Sequence, residues 1–372
     1  MLDPYKALYI HIPFCRQRCA YCDFTTEALP PDDARIDDYF EGLIRAIREA
    51  TREGLLGSIQ SVYIGGGTPS HAGLKRLTSL VYTLSLSLHL HDDTEFTLEA
   101  NPESLTPALV RDLYALGVNR FSLGVQSFQD TELAALGRVH NAEAARDAIR
   151  AIQERCENVS VDLMCGIPGQ TVASWQDSLA TAIGLAVAHI SVYPLTIEED
   201  SSFGRRFEQG ELCPPDDDLQ AELMEQAAET LAATGFERYE VASYAMPGFA
   251  SRHNTAYWTG LPYLGLGRGA ASMRMTAEGR QRLLDGTVIE RLTAVQACAE
   301  DLMLGMRMAR GVSTEQIIAA CALIPGIATV FSQLQEQGLA TLREGRYQPT
   351  QRGWLLGNRM YGLIWDSVSQ TQ

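Results

Sequence analysis

The sequence predicts an α/β fold in which six βα units form a parallel sheet, with a smaller α+β domain after them. Short apolar, β-branched runs alternate with helical segments, as expected of a parallel sheet. The chain has 372 residues, of which 46% are hydrophobic and 20% charged, so it can build two domains or one large barrel with an appendage. Beyond about residue 290 the pattern changes to closely spaced helices.

Six apolar runs are long enough for strands. They are Ala7–Ile12, Ser61–Ile64, Glu95–Ala100, Arg120–Val125, Val159–Met164 and His189–Pro194. Segments with helical spacing lie between and after them, at Asp37–Glu53, Thr106–Leu116, Ala142–Gln153, Ser174–Ile183 and Asp216–Thr234. In barrels built of βα units, functional residues gather at the C-terminal ends of the strands.

The last third of the chain follows a different pattern. A Gly- and Tyr-rich segment, Tyr239–Ser272, is predicted as strand and loop. Three helices and a hairpin come after it, at Ala294–Met308, Thr314–Ala320, Ile327–Glu336 and Leu339–Pro349, an order that is winged-helix-like. We therefore predict a barrel over residues 1–235, a connecting segment over 236–290 and a winged-helix-like domain over 291–372. An ordinary lid or packing domain is the alternative.

Charge and cysteine usage limit the partners and the compartment. A net charge of −16 argues against a nucleic-acid partner, which needs a basic surface. The longest apolar-leaning stretch, Leu77 to Leu90, is too short to cross a bilayer. With no recognisable signal peptide and only eight cysteines, most of them scattered, we expect a soluble cytoplasmic protein. Peripheral contact with a membrane is left open.

Three cysteines follow the first predicted strand with the spacing C-x3-C-x2-C, at Cys15, Cys19 and Cys22. Three thiolates on one loop can hold three irons of a [4Fe–4S] cluster and leave the fourth iron without a protein ligand. Such an open iron can bind a small molecule. A zinc site completed by His11, or a set of structural thiols, are the alternatives.

Polar or glycine residues mark the ends of the later strands. Gly65-Gly66-Gly67-Thr68-Pro69 follows the second strand, where the lack of Cβ atoms lets the backbone approach a ligand. Glu99 and Gln126 close the next two strands, Asp162 lies within the strand after them, and Arg138 follows Gln126 by twelve residues. Gln and Asp suit a ribose diol and Arg suits a carboxylate. Taken singly, each of these residues is more often a structural hydrogen-bonder or a surface residue, and a lone triple glycine is more often a tight turn than a site.

Taken together, these motifs resemble the radical S-adenosylmethionine (SAM) superfamily and its open (β/α)6 partial TIM barrel. The resemblance implies a [4Fe–4S] cluster held by the three cysteines, with SAM on the fourth iron and cleaved by electron transfer to a 5'-deoxyadenosyl radical. Around SAM it implies Gly66, Gly67 and Thr68 at the amino-acid end, Tyr21 near adenine and Tyr9 close to the cofactor. The same resemblance places Glu99, Gln126, Arg138 and Asp162 in the pocket.

Within the superfamily, the chain resembles the relatives of oxygen-independent coproporphyrinogen III dehydrogenase. The matching segments are His11–Cys15, Gly65–Pro69, Gly124–Ser127 and Asp162–Thr171. Two departures point to the haem chaperone (HemW-type) branch: Phe24 stands where the dehydrogenase has a further cysteine, and only fourteen residues precede Cys15. The His-Asn-x-x-Tyr-Trp motif of that branch is present at His253–Trp258, whereas a histidine common in the family is replaced by Ala271.

This branch implies a protein that binds haem and delivers it to haem-dependent proteins. Imidazole is a common axial ligand of haem iron, so His253 is the predicted haem residue, with a structural hydrogen-bonding role as the alternative. Membrane-associated recipients, a homodimer, a covalent haem bond and the cleavage of SAM in function are left open. The alternative function is a radical SAM enzyme that oxidises a porphyrinogen or methylates a substrate. Its candidate propionate anchors are Arg205, Arg206, Arg252 and Arg268.

Overall fold

The structure is a computed structural model that describes residues 4–88 and 93–368. Its strands, in chain order, are β1 (Ala7–Ile12), β2 (Phe14–Cys15), β3 (Glu27–Ala28), β4 (Ser61–Gly66), β5 (Glu95–Ala100), β6 (Arg120–Gln126), β7 (Val159–Cys165), β8 (His189–Pro194), β9 (Glu237–Arg238), β10 (Ser243–Ala245), β11 (Tyr263–Leu266), β12 (Ala271–Thr276), β13 (Gly279–Leu284), β14 (Thr287–Thr293), β15 (Val312–Ser313), β16 (Ala340–Arg343) and β17 (Arg346–Pro349).

The α-helices are α1 (Ala34–Arg52), α2 (Leu74–Ser87), α3 (Pro107–Ala115), α4 (Asp130–Ala135), α5 (Ala142–Gln153), α6 (Val172–Gly184), α7 (Ser202–Glu208), α8 (Asp217–Ala233), α9 (Arg252–Trp258), α10 (Ala294–Gly305), α11 (Thr314–Ala320), α12 (Ile327–Glu336), α13 (Gln351–Leu355) and α14 (Gly357–Asp366). Short 3-10 helices follow two strand ends, at Pro69–Ala72 and Pro102–Ser104.

All six predicted strands form one parallel sheet in the order β1-β4-β5-β6-β7-β8. The sequence order of the strands is their spatial order, because each is followed by a helix that returns the chain along the sheet. This is the open (β/α)6 partial barrel, and the prediction is confirmed. The strands are almost wholly buried, and their apolar side chains share one core with the helices.

The helices begin where their side chains can cap them and bury one apolar stripe. The carboxylate of Asp33 accepts a hydrogen bond from the Arg35 backbone N–H, so α1 begins at Ala34, three residues before the predicted start. Ile36, Phe40 and Leu43 then recur at helical spacing on its buried side. Thr171 and Ser174 form a capping box that begins α6.

Three helices of the barrel, α2, α4 and α7, were not predicted. The apolar-leaning stretch Leu77 to Leu90 belongs largely to α2, and its residues 89 and 90 lie outside the described residues. Across residues 4–88 and 93–368, no helix combines the length and the apolar character needed to cross a membrane.

The segment 236–290, predicted as strand and loop, extends the sheet at both edges. At one edge β10 pairs antiparallel with β8, and at the other β11 pairs parallel with β1. Strands β12, β13 and β14 continue outward from β11 as an antiparallel meander. Along the chain, helix α9 lies between β10 and β11, and it was not predicted. It contacts β4 and brings the His-Asn-x-x-Tyr-Trp motif to the barrel.

The C-terminal region has its own core and a three-stranded sheet in the order β15-β17-β16. The order α10, β15, α11, α12, β16, β17 is winged-helix-like, as predicted, although α10 ends at Gly305 and the helices α13 and α14 were not predicted. Trp258 at the end of α9 joins this region to the barrel. The guanidinium of Arg307 lies over both the Trp258 ring, at 5.0 Å, and the Tyr361 ring, at 4.5 Å.

Candidate functional site

The loop that carries the three cysteines is anchored to two other parts of the barrel. Cys15 ends the short strand β2, which pairs with β3. The backbone N–H of Ala20 donates to the carbonyl of Leu136 at 3.1 Å, and the carbonyl of Ala20 accepts from Phe203 at 2.8 Å. These contacts hold the loop over the C-terminal ends of the parallel strands.

The glycine run at the end of β4 packs directly against the first cysteine. A Cβ on Gly67 would lie 2.8 Å from the Cys15 Sγ, so this position requires glycine. The backbone N–H of Thr68 donates to the Phe14 carbonyl at 2.8 Å, and its hydroxyl donates to the Cys15 Sγ at 3.5 Å. The close approach of the two loops therefore depends on the Gly-Gly-Thr sequence.

Arg138 connects the cysteine loop with the strand ends. Its guanidinium donates to the Cys19 Sγ at 3.4 Å, to Asn101 Oδ1 at 2.8 Å and to the Gly124 carbonyl at 2.6 Å. Asn101 in turn donates to the Thr68 hydroxyl at 3.1 Å. Arg138, Asn101 and Thr68 thus form one hydrogen-bonded chain between two of the cysteines. Asn101 was not singled out from the sequence, although it follows Glu99 by only two residues.

Two carboxyl groups inside the barrel hold protons more tightly than usual. Glu99 accepts from Tyr63 Oη at 2.6 Å and from the Gly66 N–H at 3.0 Å. Burial raises its pKa to about 7, although the Tyr63 hydrogen bond acts in the opposite direction. Burial likewise raises the pKa of Asp162 to about 6, against a lowering by its hydrogen bond to Ser191.

Gln126 ends β6 in a strained conformation. Its φ is +70°, in the left-handed region that residues other than glycine rarely adopt, and the pairing register of β6 with β7 shifts at this point. Such a conformation costs about 1–3 kcal/mol and is typical of functional sites. Here it turns the side chain to the cavity that the cysteines line.

These residues surround one cavity, which we call the cluster cavity, with a volume of about 450 Å³. Every predicted site residue except Tyr9 and His253 lines it: Cys15, Cys19, Tyr21, Cys22, Gly66, Gly67, Thr68, Glu99, Gln126, Arg138 and Asp162. Tyr21 also packs against the apolar side chains that support the cysteine loop. The side chains come from five parallel strands or the segments that follow them, which places the cavity at the strand ends as predicted.

The donor set fits a four-iron cluster. In the part of the chain that the structure describes, no three His, Cys, Asp or Glu side chains converge on the position of a single metal ion. A cubane does not need such convergence, because each thiolate binds a different iron. Burial raises the pKa of Cys15 to about 11, so without metal it is a neutral thiol, and binding to iron would displace its proton.

Tyr9 and His253 belong to a neighbouring group of aromatic rings. The His253 ring stacks on Tyr63, with centroids 5.0 Å apart, and lies 6.4 Å from the Tyr9 ring. Tyr257 meets His253 edge-on at 5.0 Å and Tyr263 edge-on at 4.5 Å. The sequence predicted Tyr9 and His253 but not Tyr257 as a site residue, although Tyr257 lies within the same motif.

Both ring nitrogens of His253 are occupied. Nδ1 is 3.0 Å from the Ser61 hydroxyl and Nε2 is 3.2 Å from the Tyr257 hydroxyl. Its backbone N–H donates to Glu95 at 2.9 Å, and only 1% of the residue is exposed. Burial, together with the positive charge of Arg120, lowers its pKa to about 3, so the ring is neutral.

Family comparisons agree with this architecture. Residues 9–182 match the model of the radical SAM superfamily, and residues 292–356 match the HemN C-terminal domain. A heme chaperone HemW of Synechocystis is 37% identical over 84% of this chain and 80% of its own length. Those of Bacillus subtilis and Escherichia coli are 32% and 33% identical, over 96% and 97% of this chain and 99% and 98% of theirs.

Among solved structures, the coproporphyrinogen III oxidase HemN of Escherichia coli, described as a radical SAM enzyme, superimposes with a TM-score of 0.81. The match covers 97% of this chain and 90% of that one at 19% identity, so it concerns the fold. An open (β/α)6 barrel with a three-cysteine loop after its first strand defines a radical SAM protein, for which a [4Fe–4S] cluster and SAM are the implied cofactors. Within that superfamily, the chain belongs to the heme chaperone HemW family.

Proposed function

We propose that this chain binds haem and delivers it to haem-dependent proteins, as a chaperone built on a radical SAM scaffold. The observation that carries the proposal is the extent of the similarity to the heme chaperones. In Bacillus subtilis and Escherichia coli it covers 96–97% of this chain, and therefore barrel, sheet extension and C-terminal region together.

The predicted residues that line the cluster cavity keep their proposed roles. We propose that Cys15, Cys19 and Cys22 hold the cluster, and that the strand-end residues of the cluster cavity bind SAM at its open iron. When bound, the cluster would supply an electron or control dimerisation. The part of Arg138 is to hold a positive charge beside Cys19 and to fix Asn101 and Thr68. Glu99, bound by Tyr63 and the Gly66 N–H, can accept a proton near neutral pH.

Direct ligation of haem iron by His253 requires a local change. In the conformation described, an iron could reach Nε2 only after the Tyr257 hydroxyl had moved away, or Nδ1 only after Ser61 had. The remaining predictions also stay proposals: the boundaries 1–235, 236–290 and 291–372, a membrane-associated recipient, a homodimer and a cytoplasmic location. The absence of disulfides among the eight cysteines supports the last.

The enzyme alternative has less support. The likeness to the coproporphyrinogen oxidase concerns the fold, and the proposed propionate anchors do not meet at one site. Arg252 pairs with Asp93 at the N-terminal end of β5, whereas Arg205 and Arg206 are on α7. Arg268 lies in the loop between β11 and β12.

The deciding experiment is oxygen-free reconstitution of the cluster followed by two assays on the same sample. One is a titration with haem, and the other is incubation with SAM, a reductant and coproporphyrinogen III. We expect stoichiometric haem binding and no protoporphyrinogen. Formation of protoporphyrinogen, or failure of the reconstituted chain to bind haem, would overturn the proposal. Sedimentation of the same material tests the homodimer.

A further inference from the structure

A second cavity lies beside the cluster cavity, and we call it the aromatic cleft. Its main lining residues are Tyr9, His11, Phe24, Tyr257, Tyr263 and Ala271, and its volume is about 470 Å³. This volume is within the range of pockets that bind small organic ligands. Asp23 and Phe24 line both cavities, so the two are neighbours across the end of the cysteine loop.

The polar ring atoms of Tyr9, His11 and Tyr257 in the cleft wall already have hydrogen-bond partners. Tyr9 Oη is 2.9 Å from His11 Nδ1, and His11 Nε2 is 3.1 Å from the Thr25 carbonyl. The Tyr257 hydroxyl is held by His253. Mainly the apolar ring surfaces of these side chains are therefore available to contact a ligand. Phe24, which is 63% exposed, adds one more ring to the lining. A wall of this kind suits a large, flat, apolar molecule.

A cation is present near the cleft. Arg268 directly precedes the lining residue Gly269, and its guanidinium pairs with Glu27 at 3.2 Å while remaining half-exposed. Its charge is close enough to contribute to the lowering of the pKa of His11, which is due chiefly to burial. Arg268 can therefore meet the carboxylate of a ligand that enters the cleft. Among the four arginines proposed as anchors, this one lies next to an aromatic wall.

From these observations we infer that the aromatic cleft is the seat of the haem, and that His253 is a positioning residue that holds Tyr257 in the wall. The inference rests on the proposed function, since it supposes that the chain binds haem. The porphyrin ring lies among the aromatic side chains, and a propionate reaches Arg268. His253 acts behind the wall, buried and bonded at both ring nitrogens, and does not touch the iron.

The test is a haem titration of the reconstituted full chain, followed by absorption and electron paramagnetic resonance spectra of the haem iron. Ala271→Phe fills the cleft, so we expect haem affinity to fall by about tenfold or more while the cluster content stays unchanged. Ala322→Phe, on the exposed surface of the C-terminal region, is the matched control and should bind haem as the wild type does. Unchanged affinity in folded Ala271→Phe would overturn the inference.

A second variant keeps the test informative if Ala271→Phe does not fold. Ala271→His places an imidazole in the cleft without filling it. If haem lies there, the imidazole is within reach of the iron, and the spectra should change to those of a newly histidine-ligated haem. Spectra identical to the wild type would place the haem elsewhere.

The role of His253 is tested by His253→Gln and His253→Ala. Gln can bond to Ser61 and Tyr257 but is a poor iron ligand, so we expect it to keep the wild-type haem spectra and affinity. Ala leaves Tyr257 unsupported and should weaken binding. Loss of an axial ligand signal in His253→Gln would show that His253 binds the iron. Failure of the wild type to bind haem would refute the proposed function itself and is a separate result.

Discussion

The cluster cavity and the aromatic cleft share a wall, yet they use polar side chains in opposite ways. In the cluster cavity, Arg138 and Thr68 direct hydrogen bonds at cysteine sulfurs, and Glu99 and Asp162 hold protons tightly. In the cleft, the hydroxyls of Tyr9 and Tyr257 and the imidazole of His11 already have hydrogen-bond partners, which leaves ring surfaces for a ligand. One site is thus prepared for charge and metal, and the other for a flat apolar molecule. Because the two are separate, each can be disabled while the other remains.

The largest expected effect is loss of the cluster without loss of haem. In a Cys15→Ser, Cys19→Ser, Cys22→Ser variant, no [4Fe–4S] signal should form, because all three thiolate ligands are gone. Haem affinity should stay within about tenfold of the wild type, since the cleft is built mainly from other segments. Iron and sulfide analysis with a haem titration measures both. Cys213→Ser, at an exposed cysteine, is the control. Loss of both the cluster and haem binding in the triple variant would show that the two sites are not separate.

A second effect concerns the carboxyl groups of the cluster cavity. The pKa of Glu99 rises on folding from 4.5 to about 7, so the folded state binds the proton more tightly than the unfolded state. The contribution of Glu99 to the free energy of unfolding is therefore fully present below pH 4.5 and is lost as the pH rises through 7. In the cluster-free chain, Glu99→Gln should flatten this fall by about 1–3 kcal/mol.

Denaturant unfolding between pH 4 and 8 tests this expectation. Glu336→Gln, on the exposed side of α12, should keep the wild-type profile. The Glu99 explanation would be wrong if the two variants gave the same pH dependence.

A third effect concerns the sulfur atom that Arg138 contacts. A positive charge and a hydrogen bond at a cluster thiolate favour the reduced, more negative cluster. Arg138→Gln removes the charge, and we expect the cluster potential to fall by on the order of 60 mV, a tenfold change for one electron. Arg138→Lys keeps the charge without the fork to Cys19 and Asn101, so its potential should fall less. Spectroscopic redox titration compares the wild type with the two variants. Equal potentials in all three proteins would show that Arg138 does not influence the cluster potential.

The smallest effect concerns the support behind the cleft. The Trp258 indole N–H donates to Glu240 at 3.0 Å, and Glu240 is buried. Trp258→Phe keeps an aromatic ring under Arg307 but leaves the carboxylate without this donor, at a cost of about 1–3 kcal/mol. Thermal unfolding should show a Tm lower by a few degrees. Trp365→Phe makes the same replacement in the C-terminal core, at an indole with no known hydrogen bond, and should lower the Tm less.

Much of the barrel and of the cluster cavity follows from short stretches of sequence. The three cysteines are within eight residues of one another. The glycine run, Glu99 and Gln126 come at strand ends and Asp162 lies within a strand, and each of these strands is predicted by its own apolar run. Parallel strands bring their C-terminal ends to one edge, so residues far apart in sequence meet by a general rule. Asn101 escaped this reasoning because an Asn before a proline is also an ordinary turn residue.

The aromatic cleft could be assembled only by tertiary structure. Its wall joins residues 9 and 11, residue 24, residues 257 and 263, and residue 271, and these meet because β11 pairs with β1 after the chain has crossed the whole sheet. No local pattern encodes that pairing. The motif at His253 was visible in the sequence, but its hydrogen bonds to Ser61 and Tyr257 were not. Sequence by itself determined the spacing of the three cysteines and the positions of the strands, because periodicity and spacing are local. Long-range packing alone decided that the His253 imidazole lies behind Tyr257, which lines the cleft.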